Sequence, residues 1–378
     1  MSKAAELAKM GEVLTNNQIG GRRNIIINGA MQVAQRGTSF TSIGGTAGVY
    51  SLDRMRYGFT MDSGRLTITQ STDTPNGFAN SLKVDITTAE SSLNAASGAA
   101  LSQFLEGQDV QQFKKGTSDA EQYTLSFHVK SNITGTYIVE LFDNDNTRQV
   151  SKSYTIDSAN TWEKKTITFP ADTSGAFDND NDKSLFVQWF LASGTNTAGS
   201  SSTLNTSWAS STDANRAVGQ ANLFSSTDNE WYITGMQLEV GSQATPFEHR
   251  SFGEEEALCM RYYQLISDGS SSITNAAAQT VSNLAAYTAS TIFGVMDLAV
   301  RMRTPPTIDL TTGTDYYTFL RSGTNDPFNS FILGRSQVDR IELYAINSTN
   351  GTISHTTGVA GWLRINNASA YFAVTAEL

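Results

Sequence analysis

The chain has 378 residues, 16% of them charged, and a net charge of −10; this length fits two domains with extensions rather than one sandwich. The acidic balance repels phosphate backbones and argues against nucleic-acid partners, and six prolines are too few for a disordered chain. The single cysteine, Cys259, excludes an intrachain disulfide, and no run of about 20 apolar residues marks a membrane-spanning helix.

At the N-terminus, residues 2–14 predict a short helix. Ala4, Leu7, Ala8, Met10, Val13 and Leu14 line a narrow apolar stripe. Such a helix is too short to stand alone, and Gly11 weakens it further, so residues 1–21 are expected to be an attachment or trimerisation segment. Lys3 is followed by no apolar core and cleavage site, so no secretory signal is predicted.

Residues 22–250 carry a β pattern. Strands are predicted at 23–33, 52–61, 66–70, 81–86, 123–130, 137–142, 149–156, 164–169, 185–192 and 231–240. Gly, Asn, Asp and Ser turns separate them, the spacing of a sandwich. Residues 123–130 and 137–142 are expected to pair as a hairpin around Asn132-Ile133-Thr134-Gly135. Residues 100–111 fit either a short helix or an edge strand. Residues 195–212 form a long Gly, Ser, Thr and Asn loop, and long loops in compact domains are often functional.

A connecting helix is predicted over 252–265, with Ala257, Leu258, Arg261, Tyr262 and Leu265 on one side. Ser251 and Gly253 can cap it, and Glu254, Glu255 and Glu256 favour its N-terminal dipole. A polar turn at 267–274 opens a second β-domain, 266–378, with strands at 290–298, 331–333, 341–346, 362–365 and 371–378. Arg303-Thr304-Pro305-Pro306-Thr307 predicts an extended crossing.

Three phrases stand out: Arg23–Ser39 (RNIIINGAMQVAQRGTS), Trp231–Tyr263 (WYITGMQLEVGSQATPFEHRSFGEEEALCMRYY) and the terminal FAVTAEL. They resemble the opening strand, the sandwich close with its following helix, and the last strand of bacteriophage tail fibres and tail-associated receptor-binding proteins. The resemblance implies an all-β fold: N-terminal short helix, jelly-roll β-sandwich of the carbohydrate-binding-module kind, connecting helix (251–265) and C-terminal β-sandwich. It further implies a virion protein, made in the host cytoplasm, held as a homotrimer and docked on phage tail or baseplate proteins through its N-terminus. The expected partner is a host surface polysaccharide met by the C-terminal domain; neither membrane insertion nor nucleic acid is expected. The alternatives are a head fibre or tail adaptor without receptor binding, and a glycan-degrading tailspike.

For glycan stacking, aromatic rings beside Asn, Asp and Gln are the required chemistry. Trp189 and Trp231 lie in strands and are assigned to the core. Trp208, in the polar loop, and Tyr316, Tyr317 and Trp362, in the C-terminal domain, are the glycan-binding candidates. Leu7, Met10 and Leu14, with Leu258 and Tyr262, are the candidates for trimer or tail contact. Asp178, Asp180 and Asp182 offer hard oxygen ligands and are weak calcium candidates, yet the spacing lacks the glycine and distal glutamate of a calcium loop. No other cofactor is expected. His128, His249 and His355 show no metal-ligand spacing, and no catalytic motif occurs; the expectation is a protein without enzymatic activity.

Overall fold

In strand β9 (Lys183–Ser193), Leu185, Val187, Trp189 and Leu191 are fully buried, while Phe186 and Gln188 between them are half-buried. The period of two puts the first set in a core and the second on an outer face. The computed structural model describes Lys3 and residues 22–269, 279–346 and 353–378. The predicted N-terminal helix, with Leu7, Met10 and Leu14, lies outside the described residues. Two units divide the chain: residues 1–255 with Leu378, and residues 256–377.

The first unit contains β1 (Ser39–Tyr50), β2 (Arg56–Ser71), β3 (Ser81–Thr88), β4 (Gly98–Glu106), β5 (Tyr123–Ser131), β6 (Gly135–Asp143), β7 (Arg148–Ile156), β8 (Glu163–Phe169), β9, β10 (Ala209–Ser210) and β11 (Glu230–Val240). Hydrogen bonding runs β10-β7-β6-β9-β4-β2-β3-β11-β5-β8, with β1 on β2, and the described pairs are antiparallel. The path folds on itself. Phe127 of β5 meets Tyr154 of β7 at 5.1 Å and Trp189 of β9 at 5.7 Å, both edge-on, so the two ends of the path face each other across one core. This is the all-β sandwich that the strand pattern predicts.

Strand β2 makes the turn between the two layers. Arg56–Thr60 pair with β4, and Arg65–Ser71 pair with β3. Buried positions shift from Tyr57, Phe59 and Met61 to Leu66 and Ile68, a change of parity that only an irregularity permits. It falls at Asp62-Ser63-Gly64. There the Glu90 carboxylate accepts the N–H groups of Ser63 and Gly64, each at 2.8 Å.

Several expectations are corrected. Residues 123–130 and 137–142 form strands but not a hairpin: β5 pairs with β8 and β11, β6 with β7 and β9. The turn at Asn132–Gly135 carries the chain from one layer to the other, and turn chemistry alone cannot distinguish the two outcomes. Residues 23–33 are not a strand. They are buried, bent backbone with left-handed Asn28 (φ 59) and Met31 (φ 56). Residues 52–55 are a turn, and β1 was not predicted. The open choice at 100–111 resolves as β4 followed by two short 3-10 turns.

Helix α1 (Phe252–Met260) is shorter than predicted. Residues 263–268 form strand β12 (Tyr263–Asp268), paired with the chain's last strand. The α1 start is a capping box: Ser251 Oγ accepts from Glu254 N at 3.4 Å, while Glu254 Oε2 accepts from Ser251 N at 2.9 Å and from its hydroxyl at 2.8 Å.

The second unit also holds β13 (Gln279–Thr288), β14 (Thr291–Asp297), β15 (Thr307–Leu310), β16 (Tyr317–Arg321), β17 (Thr324–Phe328), β18 (Ile332–Gln337), β19 (Arg340–Ile346), β20 (Ala360–Ile365) and β21 (Tyr371–Thr375). Strands β12-β21-β15 form one sheet, and β17-β16-β20-β13-β14-β19-β18 form another. A separate core lies inside, with Tyr317, Phe319, Leu343, Leu363 and Phe372. Pro327 sits in β17, an edge strand, where its missing N–H costs little.

Candidate functional site

The quoted phrases at 23–39 and 231–263 meet in the first unit. The Glu248 carboxylate accepts the N–H groups of Arg23 (3.3 Å) and Asn24 (2.8 Å). The Asn24 side chain donates to the Met236 carbonyl at 3.0 Å and accepts from Ile26 N and Leu238 N. Glu255, from α1, accepts the Asn28 N–H at 2.6 Å and pairs with Arg250 at 3.1 Å. Together with the backbone bonds from Ile25 N to the Leu238 carbonyl and from Met236 N to the Gly29 carbonyl, these side chains satisfy the bent segment, as buried backbone requires. The two phrases encode a latch that holds the bent segment onto β11 and α1. His249 belongs to it structurally, packed against Phe78 and Phe247.

The predicted aromatic residues do not converge. Trp208 is half-buried, its Nε1 donating to the Pro170 carbonyl at 2.9 Å, its edge against Tyr123 and Lys115 Nζ 5.2 Å from its ring centre. That ring anchors the loop. Tyr317 is fully buried, and its hydroxyl donates to the carbonyls of Thr311 (2.7 Å) and Tyr371 (3.0 Å), a core position and not a platform. Tyr316 is half-buried over Gly313. Trp362 is 48% exposed, with the Arg364 guanidinium 5.3 Å from its ring centre. Tyr317 pairs with Ile365 on the core side, whereas Trp362 pairs with Leu320 on the other. Tyr262 is buried inside the second unit, so it offers no surface for a trimer contact, and Leu258 is half-buried.

The acidic run closes on itself. Asp180 Oδ1 accepts the Asp182 N–H at 3.0 Å, and the carbonyls of Asp182 and Asp180 accept the N–H groups of Gly107 and Gln108. Among the described residues, no group of three or more His, Cys, Asp or Glu is placed to hold a metal ion. The structure does not gather Asp178, Asp180 and Asp182 with further ligands.

The built site lies on the outer face of β4, β9 and β6. Phe104 faces Phe186, and Phe186 faces Phe142, so three phenylalanines cross three strands in register. Ring centres are 4.3 Å apart for Phe104–Phe186 and 5.5 Å for Phe142–Phe186. At strand spacing, the row spans roughly 10 Å. The next row, two residues along each strand, is polar: Ser102, Gln188 and Glu140. Ser102 Oγ donates to Gln188 at 3.2 Å, Gln188 donates to Glu140 at 2.9 Å, and Arg216 clamps both Glu140 oxygens at 2.9 and 2.7 Å. Burial raises the Glu140 carboxyl above its usual range, against the pull of Arg216 and Gln188.

A cavity of about 340 Å³ follows this face, lined by Arg56, Phe104, Phe142, Lys183, Phe186, Gln188, Arg216 and Leu378. Beyond it the same face is closed. Ala100, Ile138 and Phe190 are covered by Ala198, Leu204 and Ala217. The predicted loop at 195–212 thus roofs one end of the sheet, and the chain just beyond it delivers Arg216 to the open end. The sequence signal for this row is alternation within the strands. In Leu185-Phe186-Val187-Gln188-Trp189 and Leu141-Phe142, each phenylalanine alternates with core residues, so it faces away from the core.

No protein-family model matches the chain. No curated protein matches it either. Among solved structures, the chain is similar to the enzymatically active domain of tailspike protein 4 from bacteriophage CBA120. Identity is 12% over 53% of this chain and 21% of that one, with TM-score 0.27. It is similar to a family 11 carbohydrate-binding module from Clostridium thermocellum, in complex with a beta-1,3-1,4-mixed-linked tetrasaccharide (12% identity, 55% of this chain, 99% of that one, TM-score 0.28). It is also similar to TmCBM61 in complex with beta-1,4-galactotriose (10%, 58%, 99%, TM-score 0.28). The chain spans about a fifth of the tailspike structure and nearly all of each isolated module.

Proposed function

We propose that this protein is a non-enzymatic, glycan-binding adhesion protein that serves a phage as a tail fibre or spike. One observation carries the binding role: an outward row of three phenylalanines beside a row of Ser102, Gln188, Glu140 and Arg216. Sugar C–H faces stack on aromatic rings, and a fixed amide and guanidinium read hydroxyls. The polar row is pre-oriented by its own hydrogen bonds, so little side-chain freedom is lost on binding.

The same geometry favours binding over hydrolysis. A glycosidase sets two carboxyl groups across the scissile bond. Glu140, although raised, has both oxygens clamped by Arg216, and phenylalanines with Arg56 and Lys183 make up the opposite lining. The virion assignment rests on the phrases at 23–39 and 231–263 and their likeness to tail fibres. In that reading the N-terminus docks on tail or baseplate proteins, the chain is a homotrimer, and weak sugar contacts multiply by avidity. Among the described residues no helix is long and apolar enough to cross a membrane.

A glycan array tests the binding role. The full chain is expected to retain polysaccharides without releasing reducing ends, and the Phe142→Ala/Phe186→Ala double variant is expected to lose that signal. An unchanged array pattern for the double variant would move the binding site elsewhere.

A further inference from the structure

Three cations stand over the phenylalanine row, one of them Arg216, 5.0 Å from the Phe142 ring centre. Arg56 lies 5.2 Å from the Phe104 ring centre, and Lys183 Nζ lies 5.6 and 5.4 Å from the centres of Phe104 and Phe186. Three cations and one anion line or underlie the cavity: Arg56, Lys183 and Arg216 against Glu140. Arg216 is committed to Glu140 and Asp213, and Tyr50 donates to a Leu378 oxygen at 2.6 Å. Among the described residues, neither Arg56 nor Lys183 has an ion-pair partner. Unpaired cations beside apolar rings, in a chain of net charge −10, run against the general surface.

The position of Arg56 is also built. Gly48 on β1 faces Gly58 on β2. A Cβ at Gly48 would come within 1.9 Å of the Arg56 guanidinium, so the missing side chain leaves room for Arg56 beside the sheet and over the Phe104 ring. A planar guanidinium held in this way offers parallel N–H donors to a carboxylate or a phosphate, and a flexible ammonium at Lys183 supplies a second charge.

Resting on the glycan-binding reading above, we propose that the cavity selects an acidic polysaccharide, with Phe186 stacking a sugar ring and Arg56 and Lys183 reading its anionic group. A neutral glycan would leave both cations without an anion, whereas an acidic one pairs them against a low-dielectric aromatic floor.

The test uses the full chain and matched polymers immobilised on one array: polygalacturonate, its fully methyl-esterified form, a poly(glycerol phosphate) and a panel of neutral glucans and galactans. Wild-type protein is expected to bind at least one acidic polymer about tenfold tighter than the neutral ones, with binding that weakens as salt rises. The carboxylate and phosphate polymers tell which anion is read. Arg56→Gln and Lys183→Gln are each expected to lower acidic binding several-fold and to narrow the gap between acidic and neutral polymers, and Gly48→Ala to mimic Arg56→Gln. Phe186→Ala is expected to weaken both classes. Neutral polymers bound as well as or better than acidic ones, with loss on Phe186→Ala, would overturn the acidic preference and leave the glycan role standing. Retention of no polymer of either class, or binding indifferent to Phe186→Ala, would overturn both.

Discussion

Glu90 shows how much of a fold one side chain can decide. Where β2 changes layer, the ladder leaves the Ser63 and Gly64 N–H groups without strand partners, and the Glu90 carboxylate takes both. Ser97 adds a hydroxyl at 3.1 Å. Burial alone would raise this carboxyl, but the donors from Gly64, Ser63 and Ser97 prevail and hold it below the usual glutamate range. A depressed carboxyl contributes stability that is present above its unfolded pKa, about 4.3, and is lost as pH falls through the folded value. Glu90→Gln is therefore expected to cost about 1–3 kcal/mol at pH 7. Urea unfolding at pH 7 and below pH 4 checks this: the gap between wild type and variant narrows in acid. Polar atoms on a ring also decide whether it serves as a platform. Tyr317 and Trp208 carry polar atoms that find carbonyl partners in folded chain, so each serves as an anchor. Phenylalanine has no such atom, and the three that form the outer row lie against one another and against Arg56, Lys183 and Arg216.

At the scale of elements, period-two patterning located most strands of the first sandwich, because each has one face in a core. What it did not locate has physical reasons. Parity changes inside β2, so residues 52–61 and 66–70 look like separate strands. Residues 23–33 are apolar but held by side-chain hydrogen bonds from Asn24, Gln103, Glu248 and Glu255, and local sequence does not reveal such distant partners. The trough was legible strand by strand but not as a whole, since register brings Phe104, Phe142 and Phe186 together from positions far apart in the chain. Helix α1 was legible at its start: the Ser251–Glu254 capping box is written in four residues. Ser251→Ala is expected to cost about 1 kcal/mol, measured as a shift of the urea midpoint with an unchanged slope; no shift would show that packing alone starts the helix. Its end was missed because Tyr262 and Leu265 extend the helical stripe, whereas Tyr263 and Leu265 alternate as a strand, and pairing with β21 decided between them.

At the scale of the molecule, two units with separate cores fit a chain of this length, and a single cysteine leaves no intrachain disulfide to either core. The proposed trimer belongs to this scale, and its residues Leu7, Met10 and Leu14 fall outside the described residues. Sedimentation of the full chain at micromolar concentration is expected to give three times the monomer mass, and removal of residues 1–21 to lower it; a monomer in both cases would remove avidity from the account. The central claim is the phenylalanine trough. Its most direct test is calorimetric titration of the array-selected polysaccharide into wild-type protein and Phe186→Ala, with thermal unfolding of both followed in parallel. The account predicts about a tenfold or greater loss of affinity, the size of a stacking contact, with little change in unfolding temperature because the ring is half-exposed. Equal affinities for the two proteins would contradict it.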